Sequence, residues 1–224
     1  MSKSKTAKPL PEHKRRELEM LAIAKSLPTG TVELLAVCRM ECDAYGAAVL
    51  ADDGDAVAAA RLRYKAAVWV LNDGTMFGSF SGPESGGELA ARHCAALPGS
   101  LPGWGQKGEF LIEVDGMRAV VCYGSQLTTF STHFEFHAID LDRPFVSDSG
   151  YRSHFVNGPT GSVTVAFAAE AYLRGFVRDH KVTMIRRDAH IRDMEPCFLW
   201  LEDATLPMLA PPVVAASGQL GFSF

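Results

Sequence analysis

The spacing of apolar residues predicts three helices in the first third of the chain. Apolar residues at near-helical spacing indicate a first helix over Glu12–Leu27, and a second begins near Thr31 and fades around Tyr45-Gly46. The third has the clearest pattern, an apolar stripe at steps of three or four residues that starts near Asp55 and stops at Asn72-Asp73-Gly74. The stripe consists of Val57, Ala60, Tyr64, Val68 and Leu71.

Beyond residue 74 the pattern changes from helical to extended. Thr75–Ser81 alternates weakly and is predicted to be a strand. The spacing Ser85-x-x-Glu88 is that of a capping box, which predicts a short helix through Leu97. Pro98, Pro102 and four glycines then predict a loop around Trp104.

A β-hairpin is the strongest local prediction. The runs EFLIEV and MRAVVCY are rich in β-forming residues, and Asp115-Gly116 between them tolerates the positive φ angles of a tight turn. Thr128–Leu141 is predicted to add a third strand. Because side chains alternate along a strand, Phe134, Phe136 and Ala138 should share one face and His133, Glu135 and His137 the other.

The last third should contain one helix and two short strands. The helix is predicted over Thr164–Asp179, and the strands over Lys181–Arg186 and Cys197–Leu201. Pro207–Phe224 is predicted to be an extended arm. The helix should turn these side chains inward: Phe167, Ala171, Phe176 and Val177.

Together these elements predict an α+β fold. An N-terminal helical layer packs with a mixed, mostly antiparallel sheet and one or two further helices. We expect a disordered basic leader over residues 1–11, the helical layer over 12–74, the sheet region over 75–206 and the arm over 207–224. The whole should form one compact domain.

Composition and charge narrow the class of protein. The 224 residues are 47% apolar and 21% charged, and the sequence has no apolar run long enough to cross a bilayer. Five cysteines without a framework spacing favour a reducing cytoplasm. Residues 1–16 hold six cations and one acid, which leaves 16 cations and 25 acids elsewhere. That acidic body argues against a broad nucleic-acid groove; the basic tail is either a nucleic-acid or acidic-partner contact, or a solvated leader.

Three polar clusters are candidate sites for metal or redox chemistry. His133, Glu135 and His137 could bind a divalent metal, or form the solvent face of an amphipathic strand. A metal site would need a further ligand, which the fold would have to bring near: Asp140, His154 or Asp148. Arg186–Pro196 contains two aspartates, a histidine and a glutamate, and is either an acid/base or metal loop or an exposed turn. Cys38-x-x-x-Cys42 lacks the spacing of a redox or zinc site, which predicts buried free thiols.

The segment PFVSDSGYRSHF, residues 144–155, is the main binding candidate. Its serine-rich turn contains Asp148, and Tyr151, Arg152 and His154 follow it at the predicted mouth of the sheet. Arginine offers a planar fork for carboxylate or phosphate, and histidine changes charge near neutral pH. The other reading is a turn in which arginine ties loop carbonyls together. Trp104 is either an exposed binding anchor or a side chain folded onto the sheet.

Sequence motifs of several enzyme classes are missing. The chain lacks Gly-x-Gly-x-x-Gly after a strand, a Walker loop, a Gly-x-Ser-x-Gly turn and His-Glu-x-x-His. We therefore expect no cofactor, and a protein that binds rather than catalyses.

The stretch HFEFHAIDLDRPFVSDSGYRSHF, with WGQKGEFLIEV as a second segment, resembles accessory proteins of conjugative plasmids, in particular Osa-type fertility-inhibition proteins. The resemblance implies a ParB/sulfiredoxin-like fold and a block of conjugative or type IV secretion transfer. Its Gly-x-x-Arg phosphate-contacting motif has its nearest counterpart at Gly150-Tyr151-Arg152, which lacks the second basic residue.

The resulting expectation is an inhibitor or regulator, encoded by a mobile element, that binds a protein machine such as a conjugation component or a host defence complex. The alternative is a ParB-like or metal-dependent hydrolase of nucleotides or nucleic acid, acting through Arg152 and His154. A third possibility is a DNA-binding regulator that uses the basic tail.

Overall fold

A computed structural model describes residues 11–125, 127–128, 131–159, 161–179, 182–186, 198 and 200–201. Within them lie five helices: α1 (Glu12–Ala24), α2 (Thr31–Leu50), α3 (Gly54–Leu71), α4 (Gly86–Cys94) and α5 (Val165–Asp179). The same residues form six strands: β1 (Gly108–Val114), β2 (Met117–Ser125), β3 (Ser131–Ala138), β4 (Pro144–Phe145), β5 (Tyr151–Asn157) and β6 (Thr183–Met184). The predicted α+β fold is confirmed.

Helices α2 and α3 form an antiparallel hairpin, on which α1 and α4 pack. The side chain of Asp53 caps α3 by accepting a hydrogen bond from the amide of Ala56 at 2.9 Å. The predicted start of each of these three N-terminal helices is confirmed to within one residue. Helix α2 continues past Gly46 to Leu50. Gly46 lies against the backbone of Trp104, and a Cβ there would be 3.2 Å from the Trp104 carbonyl oxygen.

The strand predicted over Thr75–Ser81 is wrong. This segment folds into turns, in which the hydroxyl of Thr75 accepts from the amide of Phe77 at 3.0 Å and the amide of Ser81 donates to the carbonyl of Gly78 at 3.0 Å. Gly78 has a φ of 70°, a conformation that interrupts a strand.

Helix α4 begins at the predicted position but without the predicted capping box. The hydroxyl of Ser85 donates to the carbonyl of Gly82 at 2.6 Å, and makes no cap bond to the helix. Glu88 instead forms an ion pair with Lys107 at 3.3 Å, which joins the helix to the strand that follows. The helix ends at Cys94, three residues before the predicted Leu97.

The main sheet has the strand order β1-β2-β3-β5, and every pair is antiparallel. The predicted hairpin is confirmed: Asp115 and Gly116 have φ values of 52° and 78°, as a two-residue turn with two positive φ angles requires. Strand β3 lies inside the predicted range. Strands β4 and β6 form a separate two-stranded sheet, so Thr183–Met184 is the part of Lys181–Arg186 that pairs.

One face of the main sheet packs against the helices and forms the core. The predicted alternation in β3 is confirmed, since Phe134 and Phe136 are fully buried on this face. Helix α5 covers the face with Val165, Ala169 and Leu173. The four side chains predicted to point inward are all only partly buried, because the buried stripe of α5 is rotated from the predicted one. Two of them, Phe176 and Val177, still pack against the core.

Several sequence predictions lie wholly or partly outside the described residues. These are the leader up to residue 10, the polar cluster over 187–196, Cys197 and the arm over Pro207–Phe224. Trp200 and Leu201 lie in a short 3₁₀ turn rather than the predicted strand. Among the helices that are described, none combines the length and apolarity needed to span a bilayer.

Candidate functional sites on the sheet and the helical layer

Strand β3 presents His133, Glu135 and His137 on the sheet face opposite the helices, as predicted. Glu135 accepts a hydrogen bond from the hydroxyl of Tyr151 at 2.7 Å. The ring of His133 stacks on Phe155 with 3.9 Å between centroids. Within the described chain, no group of three or more histidines, cysteines and acids is placed to hold a metal ion. Neighbouring aromatic side chains thus order this face.

The predicted corner of Tyr151, Arg152 and His154 is part of a strand, β5, rather than a loop. The register pairs Tyr151 with His137, Arg152 with Phe136 and His154 with Phe134. Paired residues share a sheet face, which places Tyr151 on the face with the β3 histidines and the other two on the face with α5. The structure therefore divides the predicted corner between the two faces of the sheet.

Arg152 and His154 pack beneath helix α5 and are half-buried. The guanidinium of Arg152 lies 5.0 Å from the ring centre of Phe176, a cation–π distance. The ring centroid of His154 lies 4.5 Å from that of Tyr172 and 5.4 Å from that of Phe176. Burial lowers the pKa of His154, and the charges of Arg152 and His133 lower it further. These contacts fasten the edge strand to the helix.

Acidification should destabilise the fold through His154. A histidine whose pKa is lower in the folded than in the unfolded chain stabilises the fold above the unfolded pKa of about 6.5, and this stabilisation is lost as the pH falls towards the folded value. We expect the urea midpoint to fall between about pH 7.5 and about pH 5.5, and His154→Gln to reduce that fall.

The exposed residue His93 on α4 offers a matched control, because His93→Gln should keep the pH dependence of the unsubstituted protein. Equal pH profiles for all three proteins would show that another group controls the acid response.

Asp148 has a partner within the fold. Its carboxylate pairs with the guanidinium of Arg186 at 3.0 Å, and its backbone carbonyl accepts a hydrogen bond from the amide of Arg186 at 2.8 Å. The predicted turn around it is confirmed, since the amide of Gly150 donates to the carbonyl of Ser147. Asp148 thus joins β5 to the segment that follows β6.

Trp104 is not the exposed anchor that one of the two readings required. It is 2% exposed, and its indole nitrogen donates to the carbonyl of Val163 at 2.6 Å. Its ring packs edge to face on Tyr123 and Phe134, with 5.9 Å and 6.4 Å between ring centroids. The loop around Trp104 thus places this side chain between the sheet and the helices. Burial of the large apolar area of the indole stabilises that position.

The thiols of Cys38 and Cys42 are free and buried in α2, as predicted. Burial raises the pKa of Cys38 to about 12, which keeps this thiol protonated at neutral pH.

A cationic cluster where α1 meets α3 was missed in the sequence. It consists of Arg16 on α1 with Arg61 and Lys65 on α3. The pKa of Lys65 is lowered by burial and by the charge of Arg61, and burial together with Arg16 lowers that of Arg61. The i, i+4 spacing of Arg61 and Lys65 was the available signal, since it places both side chains on one helix face.

Arg61 also joins this cluster to the turn that follows β2, because its Nε donates to the carbonyl of Leu127 at 2.7 Å. Arg16 pairs with Glu12 along α1. Lys65 forms no ion pair with any carboxylate of the described residues. The cluster thus consists of three cations, of which Arg16 has an acidic partner and Arg61 a backbone carbonyl partner within the fold.

Two family models match the chain. The first, described as the KlcB N-terminal DNA-binding domain, matches residues 19–93, and the second, described as the KlcB third domain, matches residues 107–192. Together they span well over half of the sequence. The chain belongs to the KlcB family. The first match covers the helical layer and the second the sheet with α5.

The chain is also similar to two curated proteins from Escherichia coli, both named Protein KlcB. One is 41% identical over 207 residues, which is 92% of this chain and 44% of that protein. The other is 41% identical over 193 residues, or 84% of this chain and 45% of that protein. The chain thus spans less than half the length of these relatives. No solved structure matches it.

Proposed function

We propose that this KlcB-family chain binds duplex DNA through its helical layer and acts as a regulator. The observation that carries the proposal is the match of residues 19–93 to a model described as a DNA-binding domain. The proposal moves the DNA contact from the basic tail to a folded surface, because the match begins at residue 19. Of the cations in residues 1–16, only Arg16 belongs to that surface.

The cationic cluster of Arg16, Arg61 and Lys65 is the surface that best suits a phosphate backbone. Cations that contact phosphates release condensed counterions, and this supplies much of the affinity for DNA. Three like charges at one helix crossing repel each other, and a neighbouring phosphate would relieve that repulsion. Burial around Lys65 adds to this effect, since its charge is poorly solvated.

Three other cations of the helical layer have partners within the fold. Arg63 pairs with the buried Glu41 at 2.6 Å, and Arg39 donates to the carbonyl of His93 at 2.8 Å. Arg92 donates to the carbonyl of Pro83 and lies 3.7 Å from Glu84. Lys65, by contrast, pairs with no carboxylate of the described residues, which makes it the cation to test for a phosphate contact.

Lys65→Gln should weaken binding to a mixed-sequence duplex several-fold in about 50 mM salt, because one phosphate contact is lost. The slope of log affinity against log salt concentration should become shallower by about one. Fluorescence anisotropy with labelled duplex measures both quantities. The matched control is Arg174→Gln on α5, which removes one positive charge outside the helical layer.

Equal losses in Lys65→Gln and Arg174→Gln would mean that net charge, not the cluster, determines binding. Retention of full affinity and slope in Lys65→Gln would contradict the proposed surface. A chain lacking residues 1–10 tests the basic tail separately in the same assay. We expect its affinity and its salt slope to equal those of the full chain.

A second proposal is that the chain also regulates a protein machine of a mobile element, as the resemblance to fertility-inhibition proteins implied. The observation that favours it is β5, an edge strand of the main sheet on which Phe155 is 66% exposed. Phe155→Ser should then abolish binding to purified conjugation components in a pull-down, while the affinity of the chain for DNA stays unchanged. Loss of both activities together would indicate misfolding instead.

A further inference from the structure

We propose that a cavity at the tip of the β1–β2 hairpin binds a small apolar carboxylate. The cavity has a volume of about 270 Å³ and lies between the hairpin, the end of β3, β4 and the C-terminal part of α5. It lies in the sheet region, away from the cationic cluster, so the inference goes beyond DNA binding and does not depend on it.

The cavity has an apolar interior. Val114 and Phe145 line it and are each 1% exposed, and Val177 of α5 and Val182 complete the apolar wall. These residues come from four separate segments of the chain, so packing of the main sheet, the small sheet and α5 fixes its shape. An apolar cavity with a few charged groups at its rim is the usual form of a small-molecule site.

Four charged groups line the rim, two positive and two negative. Arg118 holds Asp140 in a two-bond ion pair, with Nε 3.0 Å from one carboxylate oxygen, so these two charges neutralise each other. Arg143 also lines the cavity, is exposed, and forms no ion pair with a carboxylate of the described residues. It lies near enough to Asp140 to help lower the pKa of that carboxyl.

Arg143 therefore supplies the uncompensated positive charge on this side of the cavity. Its guanidinium offers parallel N–H donors that match the two oxygens of a carboxylate. Asp115 at the hairpin tip is exposed like Arg143 and is the negative counterpart at the rim, so a carboxylate would have to lie on the Arg143 side. A ligand with an apolar body towards Val114 and Phe145 and a carboxylate towards Arg143 would satisfy both parts of the cavity.

The volume limits the size of the ligand. At about 270 Å³ the cavity is far larger than the space that one water molecule needs. A six-carbon acid such as hexanoate fits within the cavity. We therefore place the ligand among short-chain acids and the C-terminal residues of apolar peptides, which share an apolar group bearing a carboxylate.

Hexanoate titration followed by two-dimensional NMR tests the site in the full chain. We expect saturable shifts at the hairpin tip and at the end of α5, weak or absent shifts with hexanamide, and a loss of affinity of about tenfold or more in Arg143→Gln. The matched control, Arg174→Gln, should bind hexanoate like the unsubstituted chain.

A second variant, Val182→Phe, fills the cavity and keeps Arg143. It should also lose hexanoate binding while the remaining resonances show an intact fold. Acetyl-Gly-Gly-Leu and its C-terminal amide separate the two ligand sources: tighter binding of the peptide acid than of hexanoate assigns the site to peptide C-termini.

The inference would be overturned if hexanamide or hexylamine bound as well as hexanoate, because the carboxylate would then not be recognised. Unchanged affinity in both Arg143→Gln and Val182→Phe would overturn it as well. Neither result would affect the DNA-binding measurements, since Lys65 lies in a different part of the fold.

Discussion

Trp104→Ala should lower the free energy of unfolding by about 4 kcal/mol, because it removes the largest fully buried side chain in the core. The substitution leaves a cavity between Tyr123 and Phe134, whose rings contact the indole. It also leaves the carbonyl of Val163 without its donor. Denaturant unfolding followed by circular dichroism measures the loss.

Two further variants separate the causes of that loss. Trp104→Phe keeps most of the apolar volume and removes the hydrogen bond, so it should lose roughly half as much stability. Phe77→Ala is the control for removing an aromatic ring, since Phe77 is 91% exposed and should change stability by less than about 0.5 kcal/mol. Equal effects of Trp104→Ala and Phe77→Ala would contradict the buried position of Trp104.

Much of the fold follows from local sequence patterns. The α3 stripe and the Asp115-Gly116 turn each depend on residues close in the chain, so periodicity and turn chemistry predict them. Thr75–Ser81 does not follow this rule, because its weak alternation carries no information on whether a partner strand is available. Side-chain hydrogen bonds within the segment satisfy its backbone instead.

The candidate sites were less predictable, because each depends on contacts between distant segments. The alternation in β3 gave the correct face for His133, but only the register with β5 places Tyr151 and Arg152 on opposite faces. The charges of Arg16 and Arg61 meet because α1 crosses α3, and the sequence does not specify that crossing. The cavity beside Arg143 likewise needs the small sheet to be docked on the main one.

The start of α4 depends on a close approach that excludes a side chain. The amide of Gly87 donates to the carbonyl of Ser79 at 2.8 Å, and a Cβ at Gly87 would lie 2.4 Å from that oxygen and 2.6 Å from the ring of Phe80. The carbonyl belongs to the backbone of a buried turn, since Ser79 is 4% exposed, and it cannot rotate away as a flexible side chain can. The pair Gly86-Gly87 thus allows the helix to dock against this turn, which the reading of Ser85-x-x-Glu88 as a capping box missed.

Gly87→Ala should therefore cost about 3 kcal/mol of stability, despite the higher helix propensity of alanine, because the helix must move away from the turn. Gly175→Ala is the matched control, since Gly175 lies within α5 and a Cβ there meets nothing within 4 Å. That variant should gain about 0.5–1 kcal/mol, because alanine loses less backbone entropy in a helix. Urea midpoints of the two variants should thus shift in opposite directions, and a stabilising Gly87→Ala would show that α4 does not approach Ser79 so closely.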